Sequence, residues 1–109
     1  MSHIDKLGIL PYAERFSITP QLASLMKLLH DSDHLSTNED MKAVLQLYGR
    51  KNKDQKRIVD MSIYRLRKSL APYEIEIKRI ENFGAYFTAE DKLRISHALS
   101  EFKQRLQPA

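Results

Sequence analysis

Around Pro72 the hydrophobic pattern of this chain changes its period from about 3.6 residues to two, and near Glu90 it changes back. This succession constrains the fold more than any other feature, because it sets several helical segments, one β hairpin and one further helix in a fixed order. Thr19-Pro20 opens the first clear helix, since threonine is a good N-cap and proline is favoured at the first helical position. Ile18, Leu22, Leu25 and Leu29 line one face of it, Met26 and Leu28 widen that stripe, and Asp31-Ser32-Asp33 ends the helix. Ser36-Thr37-Asn38-Glu39 reads as the capping box of a second helix that carries Met41, Val44, Leu45 and Tyr48 and stops at Gly49. A third helix is expected over Asp54–Leu70, capped by Asp54 or Asn52. Its core stripe is Val59, Ile63, Leu66 and Leu70, and Pro72 ends it.

Ile75 and Ile77 then alternate with Glu74, Glu76 and Lys78, which predicts a half-buried strand. Asn82-Phe83-Gly84 supplies a turn, and Ala85–Thr88 a returning strand rich in aromatic residues. A last helix is expected from Glu90 to Leu106 with Ile95, Leu99, Phe102 and Leu106 on one side. Residues 1–17 read as an arm or one small hairpin, with Pro11 as an interruption and Arg15–Ile18 as a short strand. Three helices cannot close a core without further cover, and a hairpin can supply it. The expected fold is therefore mainly α with a small β hairpin. It is a winged helix-turn-helix of three helices plus a wing over residues 18–88, with an extra C-terminal helix over 89–109, all in one domain.

Charge is unevenly placed along this order. Between Gly49 and Arg79 stand ten basic and four acidic residues, whereas the rest of the chain has eight basic and ten acidic ones. One contiguous third thus holds all the excess positive charge, and a basic surface of that kind attracts polyanions, chiefly nucleic acid. Cysteine is absent, which excludes disulfides, thiolate metal sites and a cysteine nucleophile. No apolar run has the length of a signal peptide or a membrane span, so the expectation is a soluble cytoplasmic protein with no membrane partner. His30 and His34 have the spacing of metal ligands on a helix, but the acidic residues around Ser32 place the helix end there. Glu74 and Glu76 read as solvent-facing charges, and no phosphate-cradling glycine loop or serine nucleophile motif is present. Neither an enzyme nor a cofactor is expected.

The stretch Arg57-Ile58-Val59-Asp60-Met61-Ser62-Ile63-Tyr64-Arg65-Leu66-Arg67-Lys68-Ser69-Leu70 resembles the recognition helix of OmpR/PhoB-type response-regulator effector domains. In that family an arginine, a variable residue and Val-Asp precede an apolar, a polar and an isoleucine position, and the helix ends in Arg-Leu-Arg-Lys-x-Leu. Ile18-Thr19-Pro20 is similar to the family's Leu-Thr start of its first helix, and Ile77–Phe87 to its wing, so the resemblance covers roughly Ile18–Thr88. It departs in the wing, where Glu81 stands at a frequent arginine position. The seventeen residues before Ile18 are too few for the family's N-terminal sheet. No receiver domain is expected, and phosphorylation control is not implied.

What the resemblance implies is sequence-specific binding of double-stranded DNA by a transcriptional regulator. Its contacts fall on Arg57, Ser62, Tyr64, Arg65 and Arg67, with Lys68 reaching a phosphate. Tyr64 offers its hydroxyl to a phosphate or its ring to a thymine methyl. Arg50, Lys51 and Lys53 lie where the family makes backbone or RNA polymerase contacts, and Lys78 and Arg79 stand in for the missing wing arginine. The plainer alternative is that Arg65, Arg67 and Lys68 are solvated charges on an ordinary helix, and Asp60 reads as the partner of a nearby cation. The last helix either covers the domain's own core or forms a homodimer seam through Ile95, Leu99, Phe102 and Leu106. A second reading of the whole is a protein-interaction module on the same scaffold, for which Glu81 and the extra helix are the motive.

Overall fold

In the computed structural model, which describes residues 8–48, 55–80 and 83–106, the chain before Ile18 contains a helix rather than the arm or hairpin its sequence suggests. Helix α1 spans Leu10–Arg15, with Pro11 in its first turn. Proline is at home there, because that N–H has no intrahelical partner and the fixed φ is helical. Ile9, Tyr12 and Phe16 fall at helical spacing and are all buried. Ser17, at φ 54°, turns the chain, and the Ile18 N–H closes on the Ala13 carbonyl at 3.0 Å. The strand expected over Arg15–Ile18 does not form.

Helix α2, Pro20–Asp31, begins as expected: Thr19 Oγ1 accepts from the Leu22 N–H at 3.2 Å. Leu22, Leu25, Met26 and Leu29 are buried along it. Strand β1 is only Ser36–Thr37, and α3 follows over Asn38–Tyr48. The capping box exists but is displaced by one residue. Thr37 Oγ1 accepts from the Asp40 N–H at 3.2 Å while Asp40 Oδ2 accepts from the Thr37 N–H at 3.4 Å. Ser36 cannot serve as the cap because its backbone stands in the sheet opposite Ala85 and its buried hydroxyl bonds that of Ser32 at 3.0 Å.

Helix α4 spans Gln55–Leu70, and Val59, Ile63, Leu66 and Leu70 are buried as its stripe requires. The proposed caps Asn52 and Asp54 lie outside the described residues. A 3-10 turn, Ala71–Tyr73, follows, with Glu74 left-handed at φ 60°. The first strand then begins later than the alternation predicts, with β2 at Lys78–Ile80, whereas β3, Gly84–Tyr86, begins one residue before the expected Ala85–Thr88 and ends two residues sooner. Ile75, Ile77 and Phe87 are buried but flank the ladder instead of joining it. Alternation reports which side of the chain is buried, not whether a partner strand is present. Here the Glu76 N–H donates to Asp91 Oδ2 at 3.4 Å, a side chain of the last helix. The three strands are antiparallel in the order β1-β3-β2, with β3 in the middle. The molecule is thus mainly helical with a small three-stranded sheet.

Helix α5, Ala89–Leu106, is capped by Thr88, whose Oγ1 accepts from the Asp91 N–H at 3.2 Å. It lies against α1, and Ile95 and Ala98 enter the common core. A polar chain pins α1, α2 and α5 together: the Tyr12 hydroxyl bonds His30 Nδ1 at 2.8 Å, and His30 Nε2 bonds Ser96 Oγ at 2.9 Å. Helix α2 ends at Asp31, so His34 is not on the same helix as His30. Burial lowers the His30 pKa from its ordinary value, against the opposing pull of the Asp31 carboxylate. The unfolded chain therefore binds the proton more readily than the folded one. This contribution to stability is complete above about pH 6.5 and is lost as pH falls from there through the folded pKa. Melting curves between about pH 7.5 and 5 are expected to show a steeper loss for the wild type than for His30→Gln. Parallel curves would show that the ring's protonation is not linked to folding.

Candidate nucleic-acid interface

The buried stripe of α4 fixes what its opposite side presents. Arg57, Met61, Tyr64 and Lys68 repeat the spacing of Val59, Ile63, Leu66 and Leu70 on the other side of the helix, and all four are exposed. Arg65 is exposed beside them. No acidic residue stands three or four positions from Arg65 or Lys68 along the helix, so no pairing within the helix neutralises them. The Lys68 ammonium lies over the Tyr64 ring, 5.2 Å from its centroid. That is a cation–π contact between side chains one helical turn apart.

Four of the other residues singled out from sequence have different surroundings. Ser62 is 5% exposed. It comes three residues after Val59 and four before Leu66, so it lies in the margin of the buried stripe and not on the outer face. Arg67 donates from Nη2 to the Ile77 carbonyl at 3.0 Å, which ties the approach to β2 onto α4. Lys78 pairs with Glu76 at 3.4 Å. Arg79 is the most heavily engaged, with its side chain only 18% exposed. Its Nη1 donates to Asn38 Oδ1 at 2.8 Å and to the Gly84 carbonyl at 3.3 Å, and its Nη2 donates to Asp60 Oδ1 at 2.9 Å. One guanidinium therefore joins the start of α3, the middle of α4 and both hairpin strands. Arg50, Lys51 and Lys53 lie outside the described residues.

Asp60 thus finds the cation its sequence context suggests, on β2. With the Asp60 carboxylate itself largely exposed, such a pair adds only about 0–1 kcal/mol. Its consequence is geometric: the hairpin is held at a set position beside the outer face of α4. Sequence reasoning passed over Met61 as a site residue, although it falls on the exposed stripe and is 49% exposed. The signal was the spacing from Arg57 and Tyr64. It also missed the exposed Ile80 and Phe83 on either side of the hairpin turn, which the Phe83 N–H closes on the Ile80 carbonyl at 3.0 Å. Among the described residues no group of three or more His, Cys, Asp and Glu side chains is placed to hold a metal ion. Among them, too, no helix is long and apolar enough to cross a membrane. No family model, curated protein or solved structure matches this chain.

Proposed function

We propose that this chain is a winged-helix domain that binds double-stranded DNA sequence-specifically and regulates transcription, with the outer face of α4 in the major groove. The observation that carries the reading is the exposed set Arg57, Tyr64, Arg65 and Lys68 on one face of a helix whose opposite face is core. The major groove admits one α-helix and presents a distinguishable pattern at each base pair, and an arginine fork suits guanine O6 and N7. A hairpin follows the helix after one 3-10 turn and a short buried segment, and is clamped to it through Arg79 and Asp60, in the manner of a wing. The likeness of residues 57–70 to the OmpR/PhoB-type recognition helix supports the same assignment. In this reading Arg67 and Arg79 position the hairpin, and Arg57, Arg65 and Lys68 meet the duplex.

Fluorescence anisotropy on duplexes selected from a random pool tests the proposal. With about six phosphates neutralised, affinity is expected to fall roughly a thousandfold between 50 and 200 mM salt. Arg65→Ala is expected to cost about 1–3 kcal/mol, some 5- to 150-fold, and to relax preference at one base position. Binding that is absent at low salt, or indifferent to salt, would refute the reading. A second reading, a protein-interaction module that engages RNA polymerase or another protein, is favoured by the exposed Ile80 and Phe83. Recovery of a stoichiometric protein partner by a chain with no DNA affinity would select it.

A further inference from the structure

We infer that Met61 and Tyr64 read the 5-methyl groups of thymine at the centre of the DNA site. The inference rests on the proposed DNA binding and adds which bases the helix selects and by what chemistry. On the outer face of α4 the order is cation, apolar, aromatic, cation: Arg57, Met61, Tyr64, Lys68. These span about 16 Å of helix axis at 1.5 Å per residue, and Met61 and Tyr64 occupy the middle. Met61 is 49% and Tyr64 59% exposed, so two large apolar groups face water side by side. The charges at the two ends complement phosphate, whereas Met61 and Tyr64 between them carry none, and Asp60 and Arg65 lie to either side of that line.

Of the groups that base pairs display in the major groove, the thymine methyl is the apolar one. With α4 laid tangentially in the groove, its middle, where Met61 and Tyr64 stand, comes closest to the base edges. The cation–π contact with Lys68 restrains the Tyr64 ring while the residue stays exposed for contact. The flexible thioether of Met61 adapts to the neighbouring step. The ring, rather than the hydroxyl, is then the working part of Tyr64. The guanidinium of Arg65, exposed beside this pair, reads an adjoining base edge. The preferred site accordingly has thymine in its centre with guanine beside it.

The test uses the full chain and the duplex it selects, with each thymine replaced in turn by deoxyuridine, which removes one methyl and nothing else. At one or two central positions affinity is expected to fall about fourfold per methyl, the equivalent of one buried methylene. Met61→Ala and Tyr64→Phe separate the contributions, and both side chains are exposed, so the variants fold. Met61→Ala is expected to bind the thymine and deoxyuridine duplexes alike at one position, while Tyr64→Phe keeps the discrimination. Wild-type binding that is salt-dependent but unchanged by deoxyuridine at every position would overturn the inference and leave the DNA reading standing. Discrimination that survives Met61→Ala and Tyr64→Ala together would overturn the assignment to these residues. Absence of binding to any duplex would remove the DNA reading and this inference with it.

Discussion

Gly84→Ala is expected to lower the stability of the domain by about 3 kcal/mol, at the upper end of what an overpacked core position does. Gly84 belongs to the central strand and faces Thr37 on one side and Ile80 on the other. A methyl group there would collide with the Ser36 carbonyl oxygen and meet the Ser36 carbonyl carbon and Leu35 Cγ at 3.0 Å. The first two obstacles are backbone, which cannot rotate aside, so β1 must part from β3. The requirement is one of space, since β1 and β3 approach too closely for any Cβ between them. The disturbance does not stop there, because the Gly84 carbonyl also accepts from Arg79, the residue that clamps the hairpin to α4. Thermal unfolding followed by circular dichroism is expected to show a melting temperature lower by on the order of 10–20 °C. Phe83→Ala, one residue earlier and exposed, is expected to stay within about 0.5 kcal/mol of wild type. Equal melting temperatures for Gly84→Ala and wild type would show that β1 does not lie against β3 at this point.

Ile95→Ala is expected to be as damaging, at about 2–4 kcal/mol, and by an amount that does not depend on protein concentration. Ile95 is 0% exposed within a single chain, where α5 closes over α1, and Ala98 enters the same core. Truncation removes the buried methyl groups and leaves a cavity that the flanking helices fill only in part. Leu93, exposed on the other side of α5, provides the contrast: Leu93→Ala is expected to change stability by no more than about 0.5 kcal/mol. Urea midpoints measured at protein concentrations differing a hundredfold check the claim. A midpoint that rose with concentration would place Ile95 in a seam between two chains. In the structure Ile95 is buried against the chain's own core, and Leu99 one turn on is partly buried. The side chains of Phe102 and Leu106, the far end of that stripe, lie outside the described residues.

The residues of the candidate interface divide along the same line. Arg57, Tyr64, Arg65 and Lys68 are where helical geometry alone puts them, because the position of a side chain on a helix follows from its distance to the apolar stripe. The resemblance implies a contact role for Ser62, but its spacing puts it beside the core, where it is buried. Arg67 and Arg79 looked like free cations because the acceptors that hold them, the Ile77 carbonyl and Asp60, are ten and nineteen residues away in sequence. No local pattern encodes such a pairing.

Helices α2 to α5 were legible in the chain because their determinants are local: Thr19-Pro20 at a start, and an apolar stripe repeated over several turns. A helix of six residues and a strand of two are too short to repeat anything. Helix α1 exists because Ile9, Tyr12 and Phe16 find a core to enter, and isolated helices of that length do not hold in water. Strand β1 exists because Gly84 lets another strand pass within bonding distance of Ser36. The alternation after Pro72 told which side chains are buried, and the tertiary structure chose which of those residues pair. By itself the sequence determined helices α2 to α5 and the face of α4 that meets solvent, since periodicity and capping act within a few residues. The fold alone decided α1, the sheet and the fixed position of the hairpin, since each depends on partners that only folding brings together.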